Sequence, residues 1–158
     1  MNLGIIKNIE EVASLKLGNV GKLNGKNGSQ LGMGGILSAI MGYEEYDGYK
    51  VETTQKIFYI LIANGQCCCE SWGYLSTNDN IQDFIGKEIS KISLTDTNLS
   101  NKELEEIKYL DEGGIQFVTF YMTDGEVLQL AVYNGHNGYY GHSILIAEDD
   151  EILLQETL

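Results

Sequence analysis

Two β-rich runs, Ile115–Tyr121 and Glu126–Tyr133, flank Met122-Thr123-Asp124-Gly125, and no other feature of the sequence narrows the fold as far. Asp-Gly between such runs predicts a tight hairpin, because glycine takes the positive φ that short hairpin turns demand. The same pattern recurs along the chain. Lys50–Thr54 alternates and Ile57–Ala63 is a continuous β-rich run, with Thr54–Lys56 as a short hairpin connection. Glu88–Leu94 alternates again, and Ser143–Ala147 and Ile152–Gln155 flank the acidic turn Glu148–Glu151. No proline occurs in the 158 residues, so strand ends must rely on Gly, Asn and Asp.

Other segments read as helical. Asn8 can cap a short helix through Leu15, with Ile9, Val12 and Ala13 on one side. Gly35–Met41 is apolar almost throughout, as a short buried helix or a segment packing on a partner subunit. Asn80–Ile85 reads as a helical turn ended by Gly86, and residues 100–110 as partly helical, with Ser100 and Glu103 spaced as a capping box. No βαβ alternation and no internal repeat is present. The expected class is therefore α+β, a mostly antiparallel β-sheet or half-barrel of about seven strands with two or three short helices.

Charge divides the chain. Residues 1–43 carry Lys7, Lys16, Lys22 and Lys26 against Glu10 and Glu11, whereas residues 44–158 carry six Lys against twenty-one acids. The basic part is rich in Gly and Asn from Gly18 to Gly28, the composition of a mobile arm. Two parts are expected: 1–43, with a helix, the Gly/Lys-rich arm and the apolar segment, and 44–158, the α+β core. The net charge of -13, with no Arg among the ten cations, argues against a DNA or RNA polymer as partner. Apolar runs such as Ile57–Ala63 are too short to span a bilayer, and Met1–Lys7 does not read as a signal peptide. Cys67, Cys68 and Cys69 are consecutive and odd in number, unsuited to a disulfide framework. A cytoplasmic protein is expected, in the host cytoplasm if phage-encoded. The apolar Ile36–Met41 stretch points to a homo-oligomer.

Two segments are too aromatic and polar to be simple connectors. One is Gln66–Tyr74, with Glu70, the single Trp72 and Tyr74; the other is Tyr133–His142, with Asn134, His136, Asn137, Tyr139, Tyr140 and His142. Each follows a β-run, so both can project from the same end of the sheet. The strings NGQCCCESWGY, FIGKEISKISLTDT and YNGHNGYYGHSILI, in this order and spacing, resemble a domain family of unassigned function found in phages, prophages and Gram-positive bacteria. The resemblance covers residues 44–147. It rests on Cys68, Cys69, Glu70, Trp72, Gly73 and Tyr74, and on Asn134, His136, Asn137, Gly138, Tyr139, Tyr140, Gly141 and His142. It implies a mobile-element context and brings no catalytic residues. By analogy alone, small phage proteins of this style include anti-CBASS and anti-Thoeris sponges for cyclic nucleotide signals.

Four chemistries compete for these residues. Structural zinc favours separated cysteine pairs, not three adjacent thiols, so no metal is expected. Cys-His-Glu70 nucleophilic catalysis, or acid–base work by His142 with Glu70, has its components but no diagnostic arrangement. Lys26, Asn27, Gly28 and Ser29 lack the order of a phosphate loop. A structural role has Trp72 and Tyr74 sealing the core while His and Asn hold loop backbone. A binding pocket has aromatic faces stacking on a base and amides reading its edge, with Lys22, Lys26 and the histidines meeting phosphate. The expectation is binding of a small nucleotide-like ligand through Glu70, Trp72, Tyr74, Asn134, His136, Asn137, Tyr139, Tyr140, His142, Lys22 and Lys26, with no cofactor and no catalytic residue. The alternatives are a hydrolase acting on such a signal through His and Glu, and an acidic interaction module that blocks a host protein.

Overall fold

The structure, a computed structural model, describes residues 2–16, 45–65, 70–95, 114–136 and 141–158. Among these residues nine strands form two antiparallel sheets: β1 (Ile6–Lys16), β2 (Glu45–Thr53), β3 (Ile57–Ala63), β4 (Glu70–Ser76), β5 (Ile89–Thr95), β6 (Gly114–Met122), β7 (Val127–His136), β8 (Ser143–Glu148) and β9 (Glu151–Thr157). The first sheet has the order β1-β2-β3-β8-β9 and the second β4-β7-β6-β5. They are tied at one corner by an antiparallel bridge between Ile5 and Glu88, with Ile6 N–H donating to the Lys87 carbonyl at 2.8 Å.

The main core lies between the sheets. Ile60, Ile62, Ile144 and Ile146 meet Val118, Phe120, Leu128, Leu130 and Val132, and Phe58 packs edge-on against Phe120 at 5.5 Å. Alternation decides which side chains enter it. On β3 the even positions 58, 60 and 62 face the second sheet, while Tyr59, Leu61 and Ala63 form a second buried cluster with Tyr46, Leu145 and Ala147 on the other face. Burial of both faces explains why Ile57–Ala63 is apolar without interruption.

This architecture corrects the α+β expectation. Among the described residues there is no α-helix; the one helical element is a single 3-10 turn at Ile81–Phe84, capped by the Asn80 side chain. Two strands were hidden in the sequence. Residues 8–15 belong to β1, where the apolar positions Ile6, Ile9, Val12 and Leu15 recur every third residue and imitate a helical face. Breaks in register between Ile6 and Asn8 and between Val12 and Leu15, the second around Ser14 with φ of 52°, put Ile6 and Ile9 together on the main-core face and Val12 and Leu15 together on the other. An extra residue at each break shifts the alternation, so a strand takes on the spacing of a helix. β1 pairs with β2 in the same sheet, although the two stand on opposite sides of the 43/44 division. The other hidden strand is β4, which was expected to project as a loop. The apolar segment 35–41 and the helical expectation at 100–110 lie outside the described residues.

The predicted hairpins are present. Gly125 takes φ of 89° between β6 and β7, where Met122 N–H donates to the Glu126 carbonyl at 2.9 Å. The β2–β3 turn is organised by the Thr53 hydroxyl, which accepts from Lys56 N–H at 2.8 Å and donates to the Leu3 carbonyl at 2.7 Å. Lys56 reaches across to Glu148 at 2.8 Å and Asp149 at 3.4 Å, clamping this turn to the β8–β9 turn. Both carboxylates hold the Lys56 ammonium above its ordinary pKa, the Glu148 hydrogen bond most of all.

Candidate functional site

The odd-numbered strands all run toward one end of the molecule. Lys16 pairs with Glu45 there, and Asn64 N–H donates to the Glu45 carbonyl at 2.9 Å. Ala63, Trp72, His142, Asn134, Gly114 and Leu158 converge at the same end. The segments 17–44, 64–69, 96–113 and 137–142 are the links made at this end, whereas the tight turns 54–56, 123–126 and 149–150 lie at the other. Each motif segment contains a sheet-to-sheet link: one leaves β3 in the first sheet for β4 in the second, the other returns from β7 to β8.

The two motifs meet strand against strand. β4 pairs with β7 so that Glu70 stands opposite His136, Trp72 opposite Asn134 and Gly73 opposite Tyr133. The expectation that Glu70, Trp72 and Tyr74 project beyond the sheet is therefore corrected: all three are members of a ladder. Alternation turns Trp72 and Tyr74 toward the main core. Gly73 is where the neighbouring strand comes close: a Cβ there would lie 2.7 Å from the Tyr133 hydroxyl oxygen, so the Tyr133 ring covers the glycine.

His142 is the centre of the described cluster. It is buried, with its ring stacked on Trp72 at 5.3 Å between centroids and 24° between planes. Its Nδ1 is 2.6 Å from the Ala63 carbonyl oxygen. A carbonyl only accepts, so Nδ1 carries the hydrogen of this bond. The His142 backbone makes a reciprocal pair with Leu158, N–H to carbonyl in both directions at 2.9 Å. The same Leu158 carbonyl accepts from Asn134 Nδ2 at 2.9 Å. Asn134 is fully buried, so this amide holds the end of β9 to β7. Gly141 admits that strand end, because a Cβ there would meet the Thr157 methyl at 2.6 Å.

Tyr74 points elsewhere. It packs edge-on against Tyr49 at 5.1 Å, and burial, followed by the negative charges of Glu11 and Asp47, pushes its phenol up. Burial likewise raises Tyr133. The structure thus brings together Trp72, Asn134 and His142, places Glu70 and His136 opposite one another on the ladder, and directs Tyr74 to a neighbouring contact. Asn137, Tyr139, Tyr140, Lys22, Lys26 and the three cysteines lie outside the described residues. Sequence reasoning missed Ala63, Tyr133 and Leu158, which act through backbone carbonyls or by covering a glycine and carry no chemical signature of their own. Among the described residues no three His, Cys, Asp or Glu side chains gather as a metal site, and no helix is long and apolar enough to cross a membrane.

Comparison with known proteins adds the following. The chain is 29% identical over 107 residues to "Uncharacterized protein L278" of Acanthamoeba polyphaga mimivirus, covering 66% of this chain and 80% of that protein. A viral relative fits a domain family that occurs in viruses. No solved structure matches significantly. A family model, described as "Domain of unknown function (DUF7448)", matches residues 3–146, which spans every strand from β1 to most of β8 and both motif segments. The chain belongs to the DUF7448 family.

Proposed function

We propose that this protein is a viral counter-defence factor of the phage type that binds and sequesters a small, nucleotide-like immune signal without cleaving it. The observation that carries the reading is the register of β4 against β7, which sets the two motifs side by side at the end where His142 stacks on Trp72. Aromatic residues stack on any base, and amide groups read base edges. Lys22 and Lys26 are the proposed source of positive charge for phosphate; they lie outside the described residues, in the segment bracketed by Lys16 and Glu45, which pair at this same end.

Binding is favoured over hydrolysis by the state of His142. A general base must reach the proton it removes, but His142 is 4% exposed, with Nδ1 committed to Ala63 and one ring face covered by Trp72. Its contacts are those of a part that holds the site's shape.

The test incubates the protein with a panel of cyclic and linear nucleotides, removes free ligand, denatures by heat and identifies what is released. Intact nucleotide is the expected result. A converted product supports the hydrolase alternative, and empty protein across the panel refutes the proposal. Changing both Lys22 and Lys26 to Ala should leave folding intact and should speed ligand dissociation.

A further inference from the structure

We propose that Asn64-Gly65, at the exit of β3, is a modification site at which the Asn64 amide converts to a carboxylate through a cyclic imide, with water as the only co-reactant. The Gly65 nitrogen attacks Asn64 Cγ, and its hydrogen passes through solvent to Nδ2 as the Cγ–Nδ2 bond breaks and ammonia leaves. Water then opens the imide at either carbonyl. The product is an aspartate or, with the main chain rerouted through Cβ, an isoaspartate at position 64. Glycine in the second place makes this feasible, because without a Cβ its nitrogen can approach the side chain and the backbone can turn as the ring closes. The chain has five Asn-Gly pairs, of which two, Asn64-Gly65 and Asn134-Gly135, are among the described residues.

The structure separates these two. Asn134-Gly135 lies inside β7, opposite Trp72 and Ser71 of β4, and the Asn134 amide is held by the Leu158 carbonyl. The ladder keeps this backbone extended, which stops the Gly135 nitrogen from turning onto the Asn134 side chain. Asn64-Gly65 stands just past Ala63, the last residue of β3. Asn64 N–H still donates to the Glu45 carbonyl at 2.9 Å. Gly65, by contrast, is exposed, a Cβ on it would meet nothing within 4 Å, and among the described residues its N–H reaches no acceptor. The consequence follows from what the amide holds. Asn64 Nδ2 donates to Asp47 Oδ1 at 3.0 Å and to Ser14 Oγ at 3.4 Å, and the same Asp47 oxygen accepts from Ser14 N–H at 2.9 Å. Ser14 sits at the second break in β1, so Asn64 and Asp47 pin that break to the exit of β3. A carboxylate only accepts. Once the amide is gone, two negative groups face each other where a hydrogen bond stood, and the last residues of β1 lose this fastening.

The full chain is held in mildly alkaline buffer, both folded and in denaturant, and digested at intervals. Peptide masses follow the amide-to-acid change at each position, and isoaspartyl methyltransferase labelling identifies the rerouted product. Position 64 should convert fastest in denaturant, because the fold engages its amide hydrogens, and should still convert in the folded chain while position 134 keeps its amide. G65A should slow conversion at position 64 several-fold. In folded protein enriched for the product, the Ser14 N–H should lose hydrogen-exchange protection, and N64D, made directly, should lose the same protection. Three results overturn the proposal: conversion at position 64 confined to the denatured chain, a G65A chain that converts as fast as wild type, or Ser14 protection unchanged in both the converted protein and N64D.

Discussion

Replacing Tyr59 with Phe is expected to stabilise the protein, against the usual cost of removing a buried hydroxyl. Tyr59 is fully buried on β3, and among the described residues its hydroxyl has no hydrogen-bond partner. A buried hydroxyl without a bond forfeits hydration and regains nothing, a cost of about 1–3 kcal/mol. Y59F removes that cost and keeps the ring, so a gain of about 1 kcal/mol is expected at pH 8, or roughly 2–4 °C in Tm for a domain of this size. The gain should grow in alkali. Burial, then the charges of Glu10, Glu52, Asp149 and Asp150, pushes the Tyr59 phenol up from 10.0 to about 12. Below pH 10 both folded and unfolded chains keep the proton and the effect is absent. Between 10 and 12 the unfolded chain releases it first, so wild-type stability falls as pH rises. At pH 11.5 this amounts to roughly 2 kcal/mol, which Y59F does not lose. Denaturant unfolding of both proteins at pH 8 and 11.5 measures the difference, in which the other tyrosines cancel. A variant less stable at pH 8, with a gap that does not open in alkali, refutes the reasoning.

Three further outcomes are expected. Lys87 lies 2.7 Å from Asp124 and 2.8 Å from Glu126, and its hydrogen bond is the main cause that holds the Asp124 carboxyl below its ordinary value. In Lys87→Met, the NMR titration of Asp124 should move back up toward that value; a curve that stays in place refutes the pairing. Gly141→Ala should drive a Cβ into the Thr157 methyl and loosen the end of β9, costing about 1 kcal/mol. Thr157→Ser removes that methyl, so adding it should restore most of the loss in thermal melts, and a double variant no better than the single one rejects the contact. His142→Ala should cost about 2–4 kcal/mol by emptying a buried site and leaving the Ala63 carbonyl without its donor. Because the ring stacks on Trp72, the single tryptophan's emission should change in the folded variant; unchanged emission refutes the stack.

Of the nine described strands, six are visible in the sequence because their turns announce them, Asp124-Gly125, Thr54–Lys56 and Glu148–Glu151, and β5 is visible from the alternation of Glu88–Leu94. β1 escaped because its irregularities set apolar residues three apart, and a window of sequence cannot tell a twice-broken strand from a helix. β4 escaped for a different reason. Its inward side chains are Trp72 and Tyr74, and Gly73 between them is read as a loop residue until Tyr133 is seen covering it. The candidate site was legible as composition but not as geometry. Two unusual segments after two strands suggested a common end, and the structural reading of Trp72 and Tyr74 had them sealing the core, where both are packed. Nor could sequence supply Ala63 and Leu158, whose contribution is a carbonyl that every residue possesses.

The division of labour between the two ends follows from the alternation of strand direction. Links after even-numbered strands are short apart from 77–88, and they are fastened by Lys56 to Glu148 and Asp149 and by Lys87 to Asp124 and Glu126. Ion pairs of this kind, each bridging two connections, fix that end as a base. Links after odd-numbered strands include both motif segments and the segment that carries Lys22 and Lys26. Leu158, His142 and Asn134 fasten strand ends at this side of the molecule. Residues kept busy in that latch, such as His142 with its Nδ1 on the Ala63 carbonyl, are poorly placed to turn over a ligand. Holding rather than converting a ligand is the role we propose for this arrangement.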